Sequence, residues 1–381
     1  MSGKASQLLL AAVLWAATAC SRNQPREIVL GEAYVGPSTV RLRQELTSPA
    51  PDGAVLRHGE KVEIVGRRRI FVRVRTATGA RGWLLMRQLL SPKQMQELER
   101  LAQRASRMPS HGKATVYAPL NVHTEPHRQA PAFHQIQEGE IVEVLLQRLE
   151  PRVPYRTPAL LPPPPKPEPR PARKRNARPP DLVLPPPPKP PGDWLELSGW
   201  SSERIAQRAT KSLPSDIWAL VRLGNGRAGW VLARPLRMEI PDEVAQYSEG
   251  QRITSYFSAG TVTDRGEVKH NWLWTTIAPG NHPYDFDSFR YFVWNTRRHR
   301  YETAYVERKL KGYFPVRLHP VEVRLGTRRQ MWPGFSLVVE EADGKRYRRT
   351  YAYQAYLVRL VSKEPWQPEG EEADWWMLAG R

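Results

Sequence analysis

From Glu27 to Leu90, apolar and polar residues alternate in short runs. Val40-Arg41-Leu42-Arg43 sets apolar against basic positions with the period of a half-buried strand. Gly59-Glu60-Lys61-Val62-Glu63-Ile64-Val65 reads as a turn and a second alternating strand. Arg69 to Val74 and Trp83 to Met86 supply two more, joined at Thr78-Gly79, while Pro49 to Gly53 is a loop. Short strands punctuated by turns over residues 27–90 predict a small closed sheet. After Ser91 the period lengthens. Met95, Leu98, Ala102, Ala105 and Met108 recur three or four apart and predict a linker helix over 91–109. Ser91 would cap it, Pro92 suits its first position, Gln94 completes a capping box, and Pro109 and Gly112 stop it.

The first pattern then returns. Val74 to Leu89 (VRTATGARGWLLMRQL) and Val221 to Leu236 (VRLGNGRAGWVLARPL) share Val, Arg, two Gly, Trp and two Leu at a constant offset of 147. Earlier in the unit, Leu120–His123 corresponds to Val40–Arg43, and Gly139–Val144 to Gly59–Ile64, at an offset of 80. The two offsets differ by 67, so the second copy, over 114–240, holds a 67-residue insertion between Leu145 and Trp218, about residues 147–215. Loop-closure entropy grows slowly with length, so a sheet tolerates such an insertion in one connection. The insertion carries 18 of the 37 prolines, with runs at Pro162–Pro165 and Pro185–Pro188 around Arg170, Arg173, Lys174, Arg175 and Arg178. Proline donates no amide hydrogen and favours extended conformations, so this segment is expected to be disordered, acting as a stiff spacer, a bait or a basic arm. Residues 201–210 suit a short helix returning the chain to the sheet.

Past Val244 aromatic residues crowd together, from Trp272 and Trp274 to Trp294. Ser288–Thr296 and Tyr301–Lys309 flank a basic turn, and Phe335–Glu340 and Lys345–Val361 flank Asp343-Gly344, a hairpin signal. Residues 245–365 are therefore expected to form an antiparallel β module, either a third barrel or a meander packed on the second. Residues 366–381 read as an acidic, poorly ordered tail. The fold class is mainly β.

The order of strand, loop, Gly-Glu-x-Val, Val-Arg strand and Gly-Trp strand resembles the bacterial SH3-like domains of envelope proteins. That resemblance implies two five-stranded barrels that bind cell-wall peptide or a protein partner. The N-terminus points to the same place. Lys4, the apolar run Leu8–Ala17 and the small residues before Cys20 have the layout of a signal peptide over residues 1–19. Cys20, the one cysteine in the chain, makes that stretch resemble a bacterial lipoprotein signal, although Ala17 stands where Leu is usual. The resemblance implies lipidation of Cys20 and a membrane anchor, and Ser21 favours the outer membrane facing the periplasm over the inner membrane. The charge, 58 Lys and Arg against 38 Asp and Glu for a net +20, favours anionic partners such as wall polymer. Nucleic acid is not expected for an exported protein.

Candidate chemistry is sparse. A cysteine nucleophile is ruled out if Cys20 is lipidated. His123, His127 and His134 cluster in sequence but lack the spacing of a zinc site, so no metal and no other cofactor is expected. Asp285 and Asp287, two apart on a strand, could pair as in a glycosidase, although turn residues are the plainer reading. The expectation is therefore a binding protein without catalytic residues, with a wall hydrolase or hydrolase activator using residues 245–365 as the alternative. Trp83 and Trp230 are either core residues of each barrel or ring surfaces of a ligand groove beside Arg81 and Arg227. Trp294 carries the same two readings.

Overall fold

The computed structural model describes residues 28–47, 51–155, 159–161, 189, 192–193 and 213–381. The expected lipid attachment at Cys20, most of the proline-rich insertion and the expected helix at 201–210 lie outside these residues. The chain is mainly β, and its contacts divide it into two units: residues 1–35, 39–92 and 160–162, and the remainder.

The first unit holds β1 (Gly31–Val35), β2 (Thr39–Arg41), β3 (Val55–Arg57), β4 (Lys61–Arg68), β5 (Phe71–Thr76), β6 (Arg81–Leu85) and β7 (Leu89–Leu90). Five strands form an antiparallel sheet in the order β6-β5-β4-β1-β7, and β2 pairs with β3. Alternation decides the faces. Val62, Ile64, Val72, Val74 and Leu84 are buried together with Leu42, while Lys61, Arg73 and Arg81 between them are exposed.

The second unit holds α1 (Pro92–Arg107) from its second residue on and repeats the sheet in β8 (Lys113–Val116), β9 (Leu120–His123), β10 (Ala132–Ile136), β11 (Ile141–Pro151), β12 (Ser215–Arg222), β13 (Ala228–Leu232) and β14 (Leu236–Met238). The repeat holds at the level of the hydrogen-bond ladder. Glu63 pairs with Arg75 as Glu143 pairs with Arg222, and each couple is also an ion pair. Val74 faces Gly82 as Val221 faces Gly229. A bulge falls between Ile64 and Gly66, and again between Val144 and Leu146. Trp83 bridges to Arg43 as Trp230 bridges to His123. Each of these residues is related to its counterpart by an offset of 80 or of 147.

The insertion sits at a hairpin tip. The first copy turns after Arg68 pairs with Phe71. The second reaches the equivalent pair, Arg148 with Trp218, then continues to Pro151 with Ser215 on either side of residues 152–214. The insertion therefore lengthens the hairpin before leaving it, and the ladder extends a few residues past the edge expected near residue 147. Gly82 and Gly229 have a packing reason to lack a side chain. A Cβ on Gly82 would come within 2.7 Å of Leu42, and one on Gly229 within 2.5 Å of Val122, the equivalent residue.

Helix α1 starts at Pro92 as expected and buries Gln94, Leu98, Leu101 and Ala105, followed by Met108. Leu101 rather than Ala102 centres the face, and Met95 lies at its margin. Leu101, Ala105 and Met108 pack on Trp230, Leu145 and Leu146. Arg222, while paired with Glu143, also donates to the Ala105 carbonyl at 2.8 Å. A cation on the last carbonyls suits the negative end of the helix dipole.

After α2 (Asp242–Ala245), a meander of seven strands runs in chain order: β15 (Arg252–Asp264), β16 (Glu267–Ile277), β17 (Phe286–Asn295), β18 (Arg300–Leu325), β19 (Arg328–Glu340), β20 (Arg346–Gln354) and β21 (Leu357–Pro365). Phe289, Tyr291, Phe335 and Tyr351 pack on one face, and Trp274, Phe292 and Trp294 on the other. Lys345–Val361, read from the sequence as one arm of a hairpin, is two strands. Ala355 turns the chain with φ 50, a conformation for which the sequence signals are Gly and Asn, so alanine hides the turn.

Residues 366–381 depart from the disordered tail expected of their acidity. Glu371–Leu378 form α3, with Glu371, Glu372 and Asp374 in its first turn, where the helix dipole favours acids. Trp376 stacks edge-on against Trp366 with ring centres 4.8 Å apart, next to Tyr313 and Val338 of the meander. Ala379 reaches the cluster around Trp218 and Trp230. The meander and the second copy are joined at Ser110-His111-Gly112. His111 N–H donates to Val144 of β11, and Tyr256 N–H of β15 donates to the His111 carbonyl.

Candidate functional site

Strand alternation puts Gly82 and Leu84 inside the first sheet and Trp83 outside, where it is half-buried. Trp230 occupies the equivalent outward position, but only 3 % of it is exposed, because α1 and the residues after α3 cover it. Trp230 therefore offers no ring surface to a ligand. It belongs to the core between sheet and helices rather than to the interior of a barrel. Arg227 is half-buried in the turn after Asn225, and exposed Arg81 stands opposite Arg75 in the ladder. Trp294 is also a core residue: it meets Tyr301 edge-on, its Nε1 donates to Asp264 at 2.8 Å, and the Lys269 ammonium lies 4.9 Å from its ring.

The three histidines that cluster in sequence are engaged separately. His123 bonds the Ala130 carbonyl, and His127 bonds the Val153 carbonyl and stacks on Tyr155. Among the described residues no group of three His, Cys, Asp or Glu could hold a metal ion. Asp285 and Asp287 do not act as a pair. Both oxygens of Asp285 accept from the Arg381 guanidinium, at 2.6 and 2.7 Å, and Oδ2 also accepts from Phe314 N–H. Asp287 accepts instead from Ala278 N–H. The ladder shifts register between Phe286 and Ser288, which flank Asp287.

The polar groups that do converge lie where the second sheet, the meander and the chain after α3 meet. Two cavities adjoin Asp285 and Arg381. The first, about 20 Å³, is bordered by His111, Phe314 and Trp376. His111 is 1 % exposed and stacks on Phe314 with ring centres 3.9 Å apart. Neither ring nitrogen meets hydrogen-bond geometry with any described residue. Burial pushes its pKa down to about 4; the Asp285 carboxylate and the nearby Leu145 backbone oppose the shift, and Arg317 adds to it.

The second cavity is a cleft of about 160 Å³, lined by Arg148, Arg252, Arg381, His282 and Asp285 with Gln147. Arg148 is paired with Glu150 and also donates to the Leu378 carbonyl. Arg381 is spent on Asp285. Arg252 differs. Its hydrogen bond goes to the neutral Gln147 Oε1 at 3.0 Å, and burial lowers its pKa, with the Asp285 charge acting the other way. His282 stacks on Tyr284, and its Nε2 is buried without a hydrogen-bond partner among the described residues. These residues come from β11, β15, the loop before β17 and the segment after α3. No local motif joins them, so the sequence alone does not reveal the cleft.

No protein-family model matches the chain, and no curated protein is similar to it at a significant level. Among solved structures, the chain is aligned with NlpC2 from Trichomonas vaginalis at 10% identity and a TM-score of 0.15, covering 89% of this chain and 98% of that one. NlpC1 from the same organism aligns at 10% identity and a TM-score of 0.16, covering 91% and 95%. Scores of that size carry no argument about fold or activity.

Proposed function

We propose that the protein is a non-enzymatic, lipid-anchored protein of the bacterial cell envelope that binds wall peptide, glycan or protein partners through SH3-like domains. The observation that carries this reading is the twin ladder, with its shared register, bulge and Glu–Arg pair, following a lipoprotein-like N-terminus. The two copies then divide the work. Helices of the same chain cover the outward tryptophan of the second copy, which makes that copy a structural hub. Binding falls to the first copy, on the face of Trp83 and Arg81. The net charge of +20 supports an anionic partner and a salt-sensitive contact.

The test is co-sedimentation of the mature protein with insoluble peptidoglycan at low and high salt, alongside zymography. The expected result is binding at low salt, weakened by high salt and by Trp83→Ala, with no clearing. Absence of binding at low salt turns the reading to protein partners. Clearing of the wall polymer overturns the non-enzymatic assignment.

A further inference from the structure

We propose that the arginine-lined cleft binds the C-terminal carboxylate of a short peptide ending in a small aliphatic residue, with Arg252 as the partner of the anion. This goes beyond the binding assigned to the first copy and does not depend on it.

Charge selects the ligand class. Three guanidiniums line the cleft, and two have carboxylate partners: Arg148 with Glu150 and Arg381 with Asp285. Arg252 is the cation in excess. Its polar partner among the described residues is an amide oxygen, which leaves most of its five N–H donors for a ligand. Arg252 is half-buried with no carboxylate in contact, and partial desolvation of a cation is a cost that an incoming anion relieves. One unmatched positive charge on a planar fork suits a singly charged planar carboxylate. His282 also lines the cleft, with its Nε2 buried and without a hydrogen-bond partner among the described residues.

Shape narrows the class. The cleft volume of about 160 Å³ exceeds by roughly tenfold the ~10–15 Å³ that one water needs. It therefore holds several non-hydrogen atoms. Leu149, Ile217, Ile277 and Ala379 supply apolar wall for a side chain as short as that of alanine.

The experiment is calorimetric titration of the full-length mature protein with N-acetyl-alanyl-alanine, its C-terminal amide, and acetate. The acid is expected to bind, with the amide and Arg252→Met each weakening the interaction by at least about tenfold. Running the D,D and L,L dipeptides side by side distinguishes wall stem-peptide ends from ordinary protein ends, and a preference for either supports the site. If Arg252→Met does not fold, the comparison of acid with amide on the unaltered protein decides. Equal binding of acid and amide, acetate binding as tightly as the dipeptide, or no binding at about 10 mM ligand overturns the proposal.

Discussion

His111 makes the second unit acid-sensitive in a defined window. Its ring is enclosed between Phe314 and Phe257, and Asp285, Arg317 and the Leu145 backbone are the groups that act on its charge. The unfolded chain protonates this histidine near pH 6.5, the folded chain at about 4. Above pH 6.5 the ring is neutral in both states and contributes no pH dependence. Between 6.5 and about 4 the unfolded state binds the proton first, so stability falls as pH falls. Below about 4 both states are charged and the loss is complete. A difference of this size corresponds to roughly 3 kcal/mol across the window. His123 and His134, also lowered by burial, add to the same trend. Asp216 does not: Arg128, and then Arg152, hold its pKa down to about 2, so its contribution is present above the usual aspartate pKa and is lost only as pH falls toward 2. The assay is urea unfolding at a series of pH values, followed by tryptophan fluorescence. Trp83 is the one described tryptophan of the first unit, so the signal reports mainly the second. His111→Leu removes the titration and the two unpartnered nitrogens together. The wild-type protein should lose stability steeply between pH 6.5 and 4, and the variant should lose only the part due to the other histidines. Parallel pH profiles for the two proteins would refute the reasoning.

Two further substitutions test the architecture. Trp230→Ala should cost about 3–5 kcal/mol, as expected when a large buried aromatic side chain is removed, while Trp83→Ala at the matching but half-buried position should cost less than half of that. Equal losses in denaturation would contradict the division between hub and binding copy. Arg381→Met should cost about 3–5 kcal/mol by leaving the buried Asp285 charge unpaired. Combining it with Asp285→Asn should restore part of the loss, and a double variant no better than the single one would show that the pair is not coupled.

The repeat was legible because it is written in residues whose roles are local. Gly82 and Gly229 fill positions that leave no room for a Cβ, and alternation around them declares which face is inside. The 67-residue insertion followed from two offsets, and the ladder places it at one hairpin tip. What was not legible depends on contacts remote in sequence. Residues 366–381 look like a solvated acidic tail until Trp366 and Trp376 are seen to have each other and Tyr313 as neighbours. The cleft is harder still, since Arg148, Arg252, His282 and Arg381 share no spacing, and only the fold shows that one of three arginines lacks a carboxylate. Asp285 stands beside Asp287 in sequence, whereas its partner in the fold is Arg381, 96 residues away.

The two copies differ where a partner has been added, and Arg222 shows how. Arg75 pairs with Glu63 and stabilises the sheet of which both are part. Arg222 keeps that pair with Glu143 and also donates to carbonyls at the end of α1. One guanidinium can do both because its fork presents several donors in fixed directions, which a lysine ammonium does not. The same substitution, Arg→Lys, is therefore expected to be tolerated better at 75 than at 222. With α1 secured there, Trp230 is buried, and Trp375, Leu378 and Ala379 pack against the same cluster. The difference between the copies thus follows from a few polar contacts at the margin, while the Glu–Arg rung and the bulge are common to both.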